Sequence, residues 1–228
     1  MTIYLFRYII LLITIFIIFF IYCHSLQLKK INNELKILQV TDPEPNLIYE
    51  LFDNHQPIVF QQELYFWKEF NSLIGMSLVD INNSITTNKN INYSEYIKNN
   101  IEIYNLPLSY DWNIDIRNIT LNESSAIFFV KQNNYMQMFG CVTGEIRIII
   151  ATPDQSLLLE PLSNMVSTID ATSILNKEPL EINYIEVIVR KGNMVYVPWG
   201  WFYFIYNGSY NNECVIVDCE NKSALSFI

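Results

Sequence analysis

The first 23 residues constrain this chain more than any others. The run IYLFRYIILLITIFIIFFIYC, Ile3–Cys23, is 21 residues long and is interrupted only by Arg7 and Thr14. At 1.5 Å rise per residue, a helix of that length reaches about 31 Å, close to the roughly 30 Å hydrocarbon core of a bilayer. Arg7 stands near one end, where its stem can carry the charge to the headgroups, and Tyr4, Tyr8 and Tyr22 suit the two interfaces. The pattern predicts a single-pass transmembrane anchor over residues 3–23. Two other readings stay open: a cleaved signal peptide, since Cys23-His24-Ser25 sets small residues behind the apolar stretch, and a buried helix.

Charge says little about orientation. Arg7 and the terminal amine on one side oppose Lys29 and Lys30 on the other, so the positive-inside bias nearly cancels. Six Asn-x-Ser/Thr sequons follow, at Asn82, Asn92, Asn118, Asn122, Asn207 and Asn221. With 26 Asn against 25 Ser plus Thr, chance supplies roughly three, and the excess favours a lumenal or extracellular domain carrying glycans. Cysteine usage does not decide the compartment. Cys23 belongs to the anchor, and Cys141, Cys214 and Cys219 are odd in number and lack zinc-like spacing. The net charge of −9 excludes nucleic acid as a partner, because phosphate backbones reward basic patches. The 35 Ile and 26 Asn against 4 Ala point to AT-rich codons, so an Asn-rich loop is not by itself functional.

Beyond the anchor, residues 24–44 read as a stalk. Leu26, Ile31, Leu35 and Leu38 have helical spacing with charges between them, and a dimer seam through two heptads is left open. Residues 45–228 read as one domain. It opens with the helix LIYELFDN and a strand over Pro57–Phe60; residues 76–126 are polar, with a helix expected around Ser94–Ile103, and decorate the core. From Ala126 onward strands take over: AIFFV, YMQMFG, EIRIIIA, INYIEVIVR, MVYV, WFYFIY and ECVIVDC. Alternation puts Ile146, Ile148 and Ile150 on one face, and Ile185, Val187 and Val189 on another. Asn207-Gly208 between two strand runs reads as a hairpin turn. The chain is therefore expected to be mainly β, a sandwich or jelly-roll barrel.

Two stretches carry a more specific signal. GNMVYVPWGWFYF, Gly192–Phe204, is a Gly-Asn turn, a strand, a Pro/Gly break and an aromatic strand. Lys131–Pro153 sets a short polar triplet about a dozen residues before Gly144 and a strand ending in Pro. Together with the earlier helix and Gln-Pro-Ile-Val-Phe, this order resembles the cupin-like, JmjC-related hydroxylases over roughly residues 45–220. The resemblance implies a double-stranded β-helix using iron(II) and 2-oxoglutarate. Gly192, Tyr196, Val197, Pro198 and Trp201 match the late motif's framework, with Asn193 in place of its Asp.

The ligands implied by that resemblance do not carry over. A facial triad needs two imidazoles and a carboxylate. Its His-x-Asp positions fall on Lys131-Gln132-Asn133, the second His on Tyr203 or a neighbour, and the lysine that grips 2-oxoglutarate on Ile146. Arg147 could replace that lysine only if the register slips. The chain has two histidines, His24 beside the anchor and His55 before the barrel, so two imidazoles are not available to it. Lys131, Asn133, Ile146 and Tyr203 thus mark a degenerate site, and no catalytic, metal or cofactor residue is expected.

Other chemistry is weaker. His55 with Cys141, Cys214 or Cys219 matches no nucleophile motif, and Cys214 and Cys219, five apart on a strand, face opposite ways. Asp111, Asp115, Asp154, Asp170, Glu178, Glu181, Glu186 and Asp218 form no calcium-loop pattern and read as solvated faces. Trp199, Trp201, Phe202, Tyr203 and Phe204 read as core filling, with an apolar or sugar pocket as the competing reading. The sum is a membrane-anchored, non-catalytic binding or structural module. The alternative is an iron(II) and 2-oxoglutarate oxygenase with a rebuilt site.

Overall fold

The computed structural model describes residues 2–28, 30–67, 70–87, 109–119, 129–134, 136–159, 182–207 and 214–223. The apolar run forms α1 (Thr2–Leu28), 27 residues long. Its Phe6–Leu26 stretch is long and apolar enough to cross a membrane and is almost bare of protein contacts. Length and composition alone do not separate a membrane span from a signal sequence.

Two β-sheets follow. The larger is ordered β1-β2-β8-β5-β10-β3 and the smaller β4-β9-β6-β7. Their strands are β1 (Leu38–Thr41), β2 (Ile58–Gln61), β3 (Ser109–Asn118), β4 (Val130–Lys131), β5 (Met136–Thr143), β6 (Glu145–Ala151), β7 (Tyr184–Arg190), β8 (Met194–Val197), β9 (Phe202–Asn207) and β10 (Val215–Ser223). Pairing is antiparallel except between β1 and β2. Four short helices, α2 (Pro45–Asp53), α3 (Glu63–Phe66), α4 (Phe70–Leu73) and α5 (Leu78–Thr87), accompany the larger sheet.

The period of two along each strand sorts side chains into layers. Phe139, Cys141, Ile146, Ile148, Ile150, Val187, Val189, Val195, Val197 and Ile216 meet between the sheets. The alternate residues of the larger sheet, such as Met136, Met138, Tyr196, Val215 and Val217, pack outward against the helices. β5 is therefore covered on both faces and buried nearly throughout. Helix α2 starts with Pro45 at its first turn and sets Ile48 and Phe52 one turn apart on its buried face. The Phe52 ring lies 4.6 Å from Tyr196. Chain crossings between the sheets are sharp: Gly144, the one residue between β5 and β6, has φ +77, which a side chain resists.

Three expectations are corrected. Helix continues into the stalk only to Leu28. Residues 30–37 are not helical, so Ile31, Leu35 and Leu38 share no helical seam; Leu35 and Ile37 pack into the layer between the sheets, and residues 38–41 pair with β2. An extended chain buries those alternate residues, which a helix would leave on an exposed stripe. The polar middle is not mere decoration: Ile81 of α5 is fully buried and β3 pairs along the length of β10. Asn207-Gly208 joins no hairpin, because β9 pairs with β4 and β6 while β10 pairs with β3 and β5. The helix expected around Ser94–Ile103 lies outside the described residues. The strands over EIRIIIA and INYIEVIVR, and the break at Pro198–Gly200, fall where the sequence places them.

Candidate functional site

The space between the sheets has two unlike ends. At the far end Ile146, opposite Asn207, sits in an apolar wall with Cys141 and Cys214. At the near end Tyr203 lies opposite Ile150. Four residues of strand, about 13 Å, separate the two positions. Ile146 and Tyr203 both face the interior, as expected, but they do not converge.

Lys131 and Asn133 do not join them. Lys131 is opposite Phe202, which packs in a separate cluster on the outer face of the smaller sheet, and the Lys131 Nζ stands 5.7 Å over that ring. Asn133 is exposed. The residues that turn inward are one position along. Gln132 is buried, donates from Nε2 to the Val197 carbonyl (3.4 Å) and accepts the Asn134 backbone N–H at Oε1 (2.9 Å). Arg147 lies on the outer face with Glu186, 3.1 Å away, and so cannot stand in for the missing lysine.

From Gln132 a polar chain runs across the near end. Asn134 Nδ2 donates to Gln137 Oε1 (2.7 Å), Gln137 Nε2 donates to Asp218 Oδ1, and Arg117 Nη2 donates to Asp218 Oδ2 (2.6 Å). Gln137 and Asp218 are both nearly fully buried. They project inward because each alternates with residues that face the helices: Met136 and Met138 beside one, Val217 and Cys219 beside the other. Burial raises the Asp218 carboxyl to about 6; Arg117 opposes that shift and Glu220 adds to it. Desolvation prevails over the ion pair because Arg117 is itself half exposed and screened by water. Tyr203 is pushed above its usual range, first by burial and then by the charges of Asp218 and Glu220. Its ring lies 5.1 Å from Phe139.

Chemically, this end offers neutral amides, a phenol and one carboxylate that titrates near neutrality. Those donors do not fit an iron(II) facial triad. The amides are weak ligands, and Arg117 and Gln137 already hold the carboxylate. Of the two imidazoles, His24 is on α1 and His55 is in the turn after α2, where its backbone carbonyl accepts the Trp201 Nε1–H (3.2 Å). Among the described residues no three His, Cys, Asp or Glu side chains group to hold a metal.

The remaining candidates disperse. Cys214 and Cys219 do face opposite ways, one between the sheets and one toward the helices. Cys141 instead meets Cys214; that contact and burial push its thiol far up, which makes it a poor nucleophile. His55 is at the opposite end of the layer from both. Trp201 and Phe202 are buried in different clusters and Phe204 stacks on Tyr206, so the aromatic run is divided between two layers. Among the sequons, Asn82 is exposed and Asn207 half-buried with Nδ2 donating to the Ile119 carbonyl. Asn118 is half-buried, and Asn92 and Asn122 lie outside the described residues. Asn221 is corrected: it is 0% exposed, so its amide has no room for a glycan in the fold. Asp111 is on β3 and Asp115 is exposed, while Asp170, Glu178 and Glu181 lie outside the described residues. The Asp154 carboxylate accepts from Thr152, and Glu186 accepts from Tyr206.

Sequence reading missed Gln132, Asn134, Gln137 and Arg117. The available signal was a lone amide on the inward phase of an otherwise apolar strand, MQMFGCV, and a lone carboxylate in CVIVDC. No protein-family model matches the chain, and no curated protein matches it.

Proposed function

We propose that this chain is a membrane-anchored module built on a double-stranded β-helix of the cupin-like, JmjC-related kind, and that it binds or scaffolds rather than catalyses. The observation that carries the reading is strand order. The eight strands from β3 to β10 divide between the sheets so that β3, β5, β8 and β10 lie in one, and β4, β6, β7 and β9 in the other. Winding a long hairpin into a jelly roll gives that division. The reading of lost catalysis rests on what fills the near end: Gln132 and Asn134 take inward positions and hydrogen-bond within the chain, and the Tyr203 ring packs against Phe139. Fold alone assigns no ligand, and none is assigned. The domain faces the lumen or the exterior, a reading that the exposed sequon at Asn82 supports.

Anaerobic titration of the full-length protein with iron(II), with and without 2-oxoglutarate, tests the reading. No binding at micromolar metal is expected; tight binding with 2-oxoglutarate turnover would establish the oxygenase instead. Endoglycosidase treatment tests the compartment: a mobility shift is expected, and its absence counts against the lumenal side.

A further inference from the structure

The polar end of the two-sheet layer is also the end from which the membrane helix departs. One residue separates Leu28, the last residue of α1, from Lys30, and Lys30 already touches the domain: its Nζ donates to the Asp53 carbonyl (3.0 Å). Asn32 Nδ2 then donates to the Asn54 carbonyl (2.9 Å). These contacts lie at the end of α2, just before β2 begins. The end of β8 is paired with the start of β2, Tyr196 opposite Ile58, so the Pro198–Trp201 turn is at the same end. Trp201 reaches His55 there, and a Cβ on Gly200 would meet Pro153 at 3.7 Å. The Pro153–Gln155 turn and the helical turn after it therefore border this end too.

That border carries exposed apolar side chains. Leu157 is 88% exposed and Leu158 44% exposed, while Leu159 is buried and holds the turn in place. Ile31 and Tyr184, at the start of β7 opposite Ala151, are exposed at the same end. His24, by contrast, is only 7% exposed on a helix that is otherwise bare, so the last turns of α1 already rest against the rest of the chain.

We infer that this end of the domain lies flat on the bilayer that α1 enters, with Leu157 and Leu158 seated in the interface between headgroups and acyl chains. The occupant is lipid because the tether leaves no slack. A domain bonded to the second residue after the helix cannot stand off from the surface, and exposed leucines on the facing border are then covered by the same membrane. The inference rests on the anchor reading of α1 and adds the orientation of the domain.

Lipid-borne photolabelling of the full-length protein separates the two. The protein is reconstituted in phosphatidylcholine vesicles containing a phospholipid with a diazirine in its acyl chain. It is then irradiated and mapped as tryptic peptides, of which 148–177 contains Leu157 and Leu158 and 69–89 contains Val79 of α5. Adducts are expected in α1 and at Leu157 or Leu158, several-fold above those at Val79, which is 65% exposed on the helical layer. Label in α1 with Leu157 and Leu158 no higher than Val79 overturns the apposition and leaves the anchor standing. No label in α1 overturns both.

Discussion

The two ends of the layer between the sheets are built on the same strands yet obey different physics. At the Ile146 end the inward residues are apolar or thiols apart from Asn207, whose Nδ2 donates to the Ile119 carbonyl, and cohesion comes mainly from burial. At the Tyr203 end a carboxylate, an arginine and three amides are drawn in, and each is satisfied by the next. The contrast shows that the layer between two sheets can be polar and still filled. A network that spends its donors on itself closes the mouth, whereas an active site keeps some of them open.

The sharpest way to break that contrast is to put a charge at the dry end. Ile146→Lys puts an ammonium into the apolar wall between the sheets. Burial should cost roughly 4–7 kcal/mol at pH 7. Thermal unfolding of the full-length protein should show the cooperative transition lost at pH 7 and partly recovered at pH 10. A stable variant at neutral pH would mean that water already reaches Ile146.

Next is Asp218→Asn. The carboxyl is raised to about 6 in the fold from an ordinary 3.8, so its stabilising contribution is complete below about pH 4 and is lost as pH rises through 6. Removing the charge should therefore stabilise the protein by about 1–3 kcal/mol at pH 8 and have little effect at pH 4. Urea midpoints at the two pH values decide this. A loss at pH 8 would show that the Arg117 pair outweighs desolvation.

Arg117→Gln tests the same balance from the solvent side. Arg117 is half exposed, so about 1 kcal/mol or less of stability is expected to go. The Asp218 carboxyl should move above 6, read from its carbon chemical shift across a titration. The smallest effect belongs to His55, whose imidazole is held below its usual range first by burial and then by Lys30, against Asp53. A lowered folded value favours the neutral ring, so wild-type stability should fall as pH drops below about 6.5. His55→Asn, which tolerates the left-handed backbone at φ 52, should flatten that fall by under about 1 kcal/mol. An unchanged slope would assign the acid sensitivity to other groups.

Some of this was legible before any coordinates. The membrane-length helix, the strands from β5 to β9 and the inward phase of Ile146, Ile148 and Ile150 follow from periodicity, a local property of the chain. The helical stalk failed because its leucines satisfy both a 3.6-residue pattern and an extended one. The partner β2, twenty residues on, decided between them. The candidate site was half read: Tyr203 and Ile146 face inward as expected, whereas Lys131 and Asn133 gave way to Gln132 and Asn134 through a one-residue change of phase. Period two makes such a change reverse every side chain.

The sequence by itself determined that the chain has one membrane-length apolar segment, a β-rich remainder and two imidazoles in all, His24 and His55, both ahead of the strand-rich half. Those are statements of length, alternation and count, and no folding can alter them. Only tertiary structure decided that Asp218 meets Arg117 across 101 positions, that Cys141 meets Cys214, and that Asn221 is sealed from solvent. Such meetings depend on which strands become neighbours. Strand order is set by the total burial of the two-sheet layer and is written in no single segment.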